Sequence, residues 1–248
     1  MLTICNQKVK LMKRIILKTP YYYLVALITV SLLISGCGKD ESDDTPAART
    51  TQTFEDPRDG NEYETITIGD QKWFAENLRF AATGTVLEVR TDTGWANIEI
   101  DTTLQPAWCH YNNDSLNDAT YGKLYNWYAV STGSLCPVGW HIPTDEEWTE
   151  LADFLEGADP AGGKMKSTEE WNFPNTGATN SSLFSALPGG YRFREGAFLG
   201  SGLNGNWWSA TEKGARNAIP RNLYYNSAQI DTTASNKANG FSCRCVED

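Results

Sequence analysis

Hydrophobic and polar positions divide the chain into an apolar leader, a polar stretch and a long region of mixed pattern. Residues 21–34 are almost entirely apolar or aromatic, whereas residues 38–53 are polar or small and show no apolar period. An apolar run of about fourteen residues fits the h-region of a signal peptide better than a bilayer span of about twenty. We therefore predict a signal peptide at 1–36, a flexible tether at 37–53 and one domain at 54–248.

A β-hairpin is predicted near the start of the domain. Residues 63–68 alternate between apolar and polar side chains, the following Gly-Asp pair supplies a two-residue turn, and residues 71–75 continue as the returning strand. Residues 83–120 show no clean period and are rich in Thr, Asp and Asn. We expect irregular loops there, with one short hairpin around residues 94–95.

Two helices are predicted further along the chain. One apolar stripe with helical spacing comprises Tyr121, Leu124, Tyr125 and Tyr128. Thr144 can cap a second helix, and Glu147, three residues on, can return the hydrogen bond in a capping box. The buried face of this second helix comprises Trp148, Leu151, Ala152 and Leu155, and Gly157 ends it. We interpret the acidic residues of its first turn as partners of the helix dipole rather than as catalytic groups.

The last third of the chain is rich in glycine and aromatic residues and predicts strands. The strand-like pieces are residues 184–187, 191–193, 207–211, 223–230 and 240–246, separated by Gly, Asn and Ser turns. Helices thus come first and most strands come later. This segregation favours the α+β fold class over an alternating α/β fold.

The junction between the leader and the polar stretch predicts lipidation. Residues 1–36 contain five Lys or Arg and no acid, and the apolar run leads directly into Ile34-Ser35-Gly36-Cys37. That tetrapeptide resembles the lipobox of bacterial lipoproteins, in which cleavage precedes the cysteine and acyl chains are attached to it. Cys37 is the predicted lipidation site, and several acyl chains would hold the domain at a membrane without crossing it. A retained transmembrane helix is the alternative.

Charges after Cys37 bear on location and partners. The Lys-Asp-Glu run at residues 39–41 resembles the export signal of Bacteroidota lipoproteins that face outward from the outer membrane, and a solvated spacer is the alternative. Removing the five basic leader residues from the chain's 21 leaves 16 against 31 acidic residues, a net charge of −15. Such a surface repels nucleic acid. We expect a lipid-anchored outer-membrane protein that faces the cell exterior and binds no nucleic acid.

Four cysteines follow Cys37, and an exported chain would hold them in an oxidising compartment. They are Cys109, Cys136, Cys243 and Cys245, which allow three pairings as two disulfides. Cys243 and Cys245 are two apart in a predicted strand, where a ring between them would strain the backbone, so each is expected to have a distant partner. The preferred assignment is Cys136 with Cys245 and Cys109 with Cys243.

Six stretches of the domain, in order, resemble the Fibrobacter succinogenes major paralogous domain, which occurs in secreted and lipid-anchored bacterial proteins. They are TITIGDQKWFAENL at 65–78, YGKLYNWY at 121–128, CPVGWHIPT at 136–144, LPGGYR at 187–192, WWSATE at 207–212 and GFSCRCV at 240–246. Cys243 departs from the family, in which an apolar residue is expected. The Cys109–Cys243 pairing would therefore be specific to this chain.

The resemblance also implies a fold. This family resembles a branch of the C-type-lectin-like fold, whose relatives include formylglycine-generating enzymes and phage and bacterial receptor-binding domains. We therefore expect two helices on a twisted antiparallel sheet, with long loops between the later strands forming a binding face. A likeness of fold does not by itself give the function.

Little of the chemistry that an enzyme needs is visible in the sequence. No nucleophile motif stands on a strand-to-helix turn, and the two histidines, His110 and His141, lack zinc-ligand spacing beside their neighbouring cysteines. The related oxidases use paired reactive cysteines near the C-terminal strands, but Cys243 and Cys245 suit buried half-cystines better. Calcium-dependent sugar binding needs Glu-Pro-Asn or Trp-Asn-Asp motifs, and neither occurs here. We predict no catalysis, no metal and no cofactor.

Aromatic residues remain as candidates for a binding face, because their rings give large contact area with little loss of entropy. Trp207 and Trp208 are neighbours in a predicted strand, so only one can face the core, and the other is exposed or covered by a loop. On the fold that the resemblance implies, this face would be surrounded by Tyr191, Arg192, Arg194, Asn204, Asn206, Tyr224 and Asn226. We predict a surface module that binds glycan or protein. A structural envelope protein and a diverged oxidase are the alternatives.

Overall fold

The computed structural model describes residues 50–84, 86–89, 91–100 and 105–248. The predicted signal peptide, Cys37 and the tether up to residue 49 lie outside the described residues. Within the described residues, the first strand begins at Gln52, two residues before the predicted domain start at Phe54, because Gln52 pairs with Thr65 of the next strand.

The described residues form short strands and helices throughout. The strands are β1 Gln52–Glu55, β2 Glu62–Ile68, β3 Gln71–Phe74, β4 Leu87–Glu88, β5 Ala107–Cys109, β6 Leu124–Tyr125, β7 Trp140–His141, β8 Gly189–Arg192, β9 Phe198–Ser201, β10 Asn204–Glu212, β11 Asn217–Tyr224, β12 Ser235–Asn236 and β13 Val246–Glu247. The helices are α1 Asp92–Ile100, α2 Asp118–Tyr121, α3 Trp127–Val130, α4 Asp145–Phe154 and α5 Ala158–Met165. Each helix of the described residues is too short or too polar to span a bilayer.

These strands form three sheets. The first has the order β1-β2-β3-β13-β7, and all its neighbouring strands are antiparallel. The second has the order β12-β11-β10-β8-β9, in which β8 and β10 are parallel. The third has the order β4-β5-β6, in which β4 and β5 are parallel. Strands and helices do not alternate regularly, so the fold class is α+β.

Residues 240–247, here called the C-terminal segment, connect the three sheets. Its residues bridge to β8, β6 and β10 in turn, pairing Gly240 with Arg192, Phe241 with Tyr125 and Ser242 with Trp207. The segment then enters the first sheet as β13. A disulfide between Cys136 and Cys245, with an S–S distance of 2.04 Å, fixes it to the chain before β7. The first predicted disulfide is therefore present in the structure.

The second predicted disulfide is wrong, because Cys109 and Cys243 are free thiols. Cys109 lies in β5 within a small cluster around Trp95, whereas Cys243 lies in the C-terminal segment within a different and larger cluster. Both side chains are buried. The two cysteines act as small apolar residues of separate parts of the core.

Elements with strong local signals are confirmed. The predicted hairpin is β2–β3, in which Ile68 pairs with Gln71 across a turn whose glycine, Gly69, has a φ of +63°. The predicted capping box opens α4. Thr144 Oγ1 accepts a hydrogen bond from the amide of Glu147 at 3.2 Å, and Glu147 Oε2 accepts one from the amide of Thr144 at 2.7 Å.

Several predictions of secondary structure are wrong. The predicted strand at 184–187 has only an isolated bridge at Ala186, and the predicted strand at 223–230 leaves the sheet after Tyr224. The apolar stripe of residues 121–128 is not one helix, because α2 ends at Tyr121, β6 follows, and Asn126 caps the separate helix α3. The residues around position 94 form α1 rather than a hairpin. Trp95 anchors this helix, since its ring is buried and its Nε1 donates to the carbonyl of Ala238 at 3.0 Å.

Core side chains cover both faces of β10. Trp207 belongs to a cluster that includes Trp73, Trp148 and Phe184, whereas Trp208 belongs to the larger cluster that contains Phe241. The exposed fractions of Trp207 and Trp208 are 1% and 0%. The prediction that one of them contributes to a binding face is wrong, because β10 is a central strand with apolar layers on both sides.

Candidate functional site

A cavity of about 200 Å³ lies beside the second sheet and is here called the asparagine cavity. Its lining comprises Tyr191, Phe193, Asn204, Asn206, Asn222, Tyr224, Thr233, Ser235, Asn239 and Phe241. The lining therefore combines amide and hydroxyl groups with aromatic rings. None of these ten residues is a carboxylate, lysine, arginine or histidine.

Strand periodicity brings the asparagines together. Asn204 and Asn206 are two apart in β10, so their side chains point to the same face of the sheet. The antiparallel register with β11 pairs Asn204 with Tyr224 and Asn206 with Asn222. Directly opposed residues of one face have neighbouring side chains, which places these four at one wall of the cavity.

The hydrogen bonds of Asn206 leave one atom unused. Asn206 Nδ2 donates to Asn222 Oδ1 at 2.6 Å, and Asn222 Nδ2 donates in turn to Asp231 Oδ1 at 3.3 Å. Asn206 is only 6% exposed, and its buried Oδ1 has no hydrogen-bond partner among the described residues. An unsatisfied buried acceptor costs about 1–3 kcal/mol, and this one is covered from solvent although its residue lines the cavity.

Aromatic rings form the apolar part of the cavity. Tyr191 packs edge-on against Phe241 with ring centroids 5.8 Å apart, and Phe241 packs in turn on Trp208 at 4.4 Å. Trp208 therefore supports the cavity from the core without lining it. Burial raises the pKa of Tyr224, as do the charges of Asp231 and Tyr191, so its hydroxyl stays protonated and can donate.

Four of the nine predicted ligand residues line this cavity, namely Tyr191, Asn204, Asn206 and Tyr224. The other five do not. Trp207 and Trp208 are buried in the core, Arg192 is buried in an ion pair, Arg194 is partly exposed outside the lining, and Asn226 is exposed in the turn after β11. The asparagines and tyrosines that the family resemblance placed around the face thus indicated the cavity better than the tryptophans did.

Arg192 is a structural residue. Its guanidinium is fully buried, forms a 3.1 Å ion pair with Asp92, and donates from Nη1 to the carbonyl of Val89 at 2.9 Å. It also stacks on Trp95 and Phe198, with centroid distances of 4.8 and 4.5 Å. The arginine therefore attaches α1 and the adjacent chain to β8. Its predicted role at a binding face is wrong because every side of the group is occupied.

Six lining residues were missed from the sequence: Phe193, Asn222, Thr233, Ser235, Asn239 and Phe241. Asn222 had a usable signal, because the hairpin register places it opposite Asn206. The other five lie outside the β10–β11 hairpin: Phe193 directly follows β8, Thr233 and Ser235 lie just before and within β12, and Asn239 and Phe241 lie just before and within the C-terminal segment. Their proximity depends on tertiary structure, which no local spacing encodes.

A second cavity, of about 410 Å³, is here called the Arg244 cavity. Its lining comprises Glu64, Ala75, Glu76, Asn77, Arg79, Ala119, Thr120, Gly122, Ser185, Leu187 and Arg244. It shares no lining residue with the asparagine cavity. Buried Arg244 is its most unusual component, since charged residues are rarely buried unless paired.

Four of the six family-like stretches meet at Asn77. Its Oδ1 accepts hydrogen bonds from Trp207 Nε1 at 2.8 Å and Arg244 Nε at 2.9 Å. Its Nδ2 donates to the carbonyl of Tyr121 at 2.8 Å and to Ser242 Oγ at 3.3 Å. The side-chain amide is therefore fully satisfied. These stretches therefore pack together at Asn77, and Asn77 and Arg244 also line the Arg244 cavity.

The sequence profile of the Fibrobacter succinogenes major domain matches residues 66–247, which is well over half of the 248-residue chain. The chain belongs to the Fibrobacter succinogenes major domain family. Comparison with curated proteins and with solved structures finds no match. The match begins within the first of the six family-like stretches and ends just after the last, so the predicted resemblance is confirmed along the whole Fibrobacter major domain.

Proposed function

We propose that this Fibrobacter major domain is a lipid-anchored, cell-surface module that binds carbohydrate in the asparagine cavity without catalysis. The lining of that cavity carries the proposal. Four asparagine amides and several hydroxyls offer both donors and acceptors to sugar hydroxyls, and four aromatic rings offer apolar contact. A volume of about 200 Å³ corresponds to roughly seven waters at about 30 Å³ each, which suits about one sugar ring.

Metal-independent binding follows from the same lining. Calcium sites in proteins draw on carboxylates as well as neutral oxygens, and no carboxylate lines the asparagine cavity. Sugar hydroxyls can instead bind directly to the amide and hydroxyl groups. We therefore propose recognition of an uncharged sugar that does not require calcium.

The proposal also covers where the protein is located and which fold it has. The lipobox-like Ile34-Ser35-Gly36-Cys37 and the acidic run after it support an anchor on Cys37 and an outward-facing position at the outer membrane. A C-type-lectin-like fold is proposed on the family resemblance. The β10–β11 hairpin that carries the asparagines agrees with ligand binding near the later strands.

The cysteines weigh against the oxidase alternative. Cys245 is in a disulfide with Cys136, and Cys243 is a buried thiol whose pKa is raised well above its usual range by burial. A thiol with a raised pKa holds little of the reactive thiolate. The geometry therefore favours a binding module over a dithiol oxidase.

A glycan-array screen of the full chain, purified in detergent, tests the proposal. It is run with and without EDTA, on the wild type, on Tyr224→Ala and on Phe154→Ala, whose exposed ring packs near Gly69 away from the cavity. We expect binding that EDTA leaves unchanged, that Tyr224→Ala abolishes and that Phe154→Ala retains. A blank array from folded protein would reject carbohydrate binding and favour a protein ligand or a structural envelope role.

A further inference from the structure

Buried cations identify a second candidate site. Six basic side chains of the described residues are buried: Lys123, Lys166, Arg192, Arg221, Lys237 and Arg244. Four of them form ion pairs: Lys123 with Asp118, Arg192 with Asp92, Arg221 with Asp145 and Lys237 with Glu212. In the described part of the chain, Lys166 and Arg244 have no such carboxylate partner. An unpaired buried charge is costly, so each of the two requires a physical explanation.

Lys166 is satisfied by the backbone. Its Nζ donates to the carbonyls of Thr176, Tyr224 and Ser227 at 2.9, 3.0 and 2.8 Å. An ammonium group has three N–H donors, and all three are used. Lys166 therefore holds the turn after β11 in place and leaves no group for a ligand.

Arg244 is not fully satisfied. Its Nε donates to Asn77 Oδ1 at 2.9 Å, its Nη1 donates to the carbonyls of Phe74 and Phe184, and its Nη2 donates to the carbonyl of Ser185 at 3.0 Å. These contacts use four of the five N–H groups of a guanidinium, which leaves one on Nη2. Arg244 also lines the cavity of about 410 Å³. Burial lowers its pKa to about 9, although the charge of Glu76 acts in the opposite direction.

We propose that the Arg244 cavity binds a small organic monoanion, whose carboxylate accepts a hydrogen bond from Arg244 Nη2. A carboxylate there would supply the counter-charge that the other buried arginines obtain from aspartates. This site is independent of carbohydrate binding in the asparagine cavity. The carboxylate can belong to a free acid or to the end of a peptide, and both sources share this chemistry.

The rim of the cavity favours a single negative charge. Glu76 lines it with both oxygens engaged, since Oε1 accepts from Arg79 Nη1 at 2.8 Å and Oε2 accepts from the amide of Glu64 at 2.6 Å. Glu64 is exposed beside it. These two glutamates, balanced by one arginine at the rim, repel a dianion such as phosphate more strongly than a monocarboxylate.

An NMR titration of the full chain in detergent tests the proposal directly. The Nε–H signal of Arg244 in 15N-labelled protein is followed during addition of acetate, with acetamide as the uncharged match and inorganic phosphate as the dianion, at constant ionic strength. Galacturonate and glycylglycine then distinguish a sugar acid from a peptide terminus. We expect a saturable shift with acetate and with at least one larger carboxylate, and none with acetamide.

Two charge variants give the matched control. Thr120→Glu places an acid on an exposed position of the cavity lining, whereas Thr51→Glu adds the same charge at an exposed position outside it. We expect acetate affinity to fall about tenfold in the first and to stay unchanged in the second. Equal affinity in the two variants, equal shifts with acetate and acetamide, or tighter binding of phosphate would each overturn the proposal. Thr120→Glu leaves the buried network intact, so the test does not depend on an Arg244 variant that folds.

Discussion

Asn77 and Asn206 are both buried asparagines, but the protein satisfies their amide groups to different extents. All the polar atoms of the Asn77 amide have partners, including Trp207 and Arg244. Asn206 Oδ1 has none among the described residues. The first residue therefore joins several parts of the fold, whereas the second lines the asparagine cavity with one acceptor unpaired.

This difference predicts that the same substitution destabilises the fold more at Asn77 than at Asn206. Asn77→Ala leaves the donors of Trp207 and Arg244 unpaired and should lower the free energy of unfolding by about 3 kcal/mol or more. Asn206→Ala removes an unsatisfied acceptor but also the hydrogen bond from Nδ2 to Asn222 Oδ1, so it should lower the free energy of unfolding by only about 1 kcal/mol while abolishing sugar binding. Urea denaturation of the two variants measures the comparison. Equal destabilisation would contradict these assignments.

His141 forms hydrogen bonds with Asp248 and with Glu147, which belongs to the capping box of α4. Its Nδ1 lies 2.7 Å from Asp248 Oδ1, and its Nε2 lies 2.8 Å from Glu147 Oε1. Partial burial acts to lower the pKa of His141, but the hydrogen bonds and charges of the two carboxylates outweigh it and raise the pKa above 6.5. Because the pKa is higher in the folded state, protonated His141 stabilises the fold.

A pH dependence of stability follows from that direction. The stabilisation is fully present below the unfolded-state pKa of about 6.5 and is lost as pH rises through the higher folded-state pKa. The free energy of unfolding should therefore decline above about pH 6.5, and His141→Gln should reduce this decline. Denaturation curves at several pH values measure the effect, and an unchanged slope in the variant would refute it.

Segments with self-contained signals were predictable at the scale of elements, and the segment 121–128 was not. The β2–β3 hairpin and the capped helix α4 depend on residues within a few positions of one another. In 121–128 the helical spacing is overridden, because Tyr125 pairs with Phe241 of the distant C-terminal segment and Gly122 turns the chain with a φ of +69°. The spacing of apolar residues within 121–128 gives no information about the pairing with Phe241 or the turn at Gly122.

Gly122 and Gly133 form a matched pair for testing the turn. Their φ angles are +69° and +68°, but a Cβ on Gly122 would lie 2.8 Å from the carbonyl oxygen of Leu78, whereas one on Gly133 would meet nothing within 4 Å. Gly133→Ala should cost about 1 kcal/mol for the left-handed backbone alone. Gly122→Ala should cost about 1–3 kcal/mol more, because backbone must move. Thermal denaturation compares the variants, and equal losses would refute the close approach.

The family-like stretches and the asparagine cavity occupy largely different parts of the whole molecule. Four of the stretches converge on Asn77, but only Tyr191 and Phe241 of the asparagine-cavity lining lie within any of the six. The family therefore accounts for the scaffold, and membership does not name the ligand.

The apolar clusters on both sides of β10 explain which part of the site could be predicted. Asn204 and Asn206 were expected at the binding face through the family resemblance, because the predicted strand began only at Trp207, whereas β10 begins at Asn204. The strand period also cannot show how many layers cover a strand. Trp207 and Trp208 are therefore both buried, in clusters on opposite sides of the sheet. The residues that close the cavity come from β12 and neighbouring segments, whose return depends on long-range packing.

Carbohydrate binding in the asparagine cavity is tested most directly by the side-chain amide NMR spectrum of the 15N-labelled protein. The titrant is the uncharged sugar that binds best on the array. The account predicts saturable shifts for the four lining amides of Asn204, Asn206, Asn222 and Asn239, with the amide of Asn77 unchanged. Shifts confined to other residues, or no sugar that binds the folded protein, would contradict it.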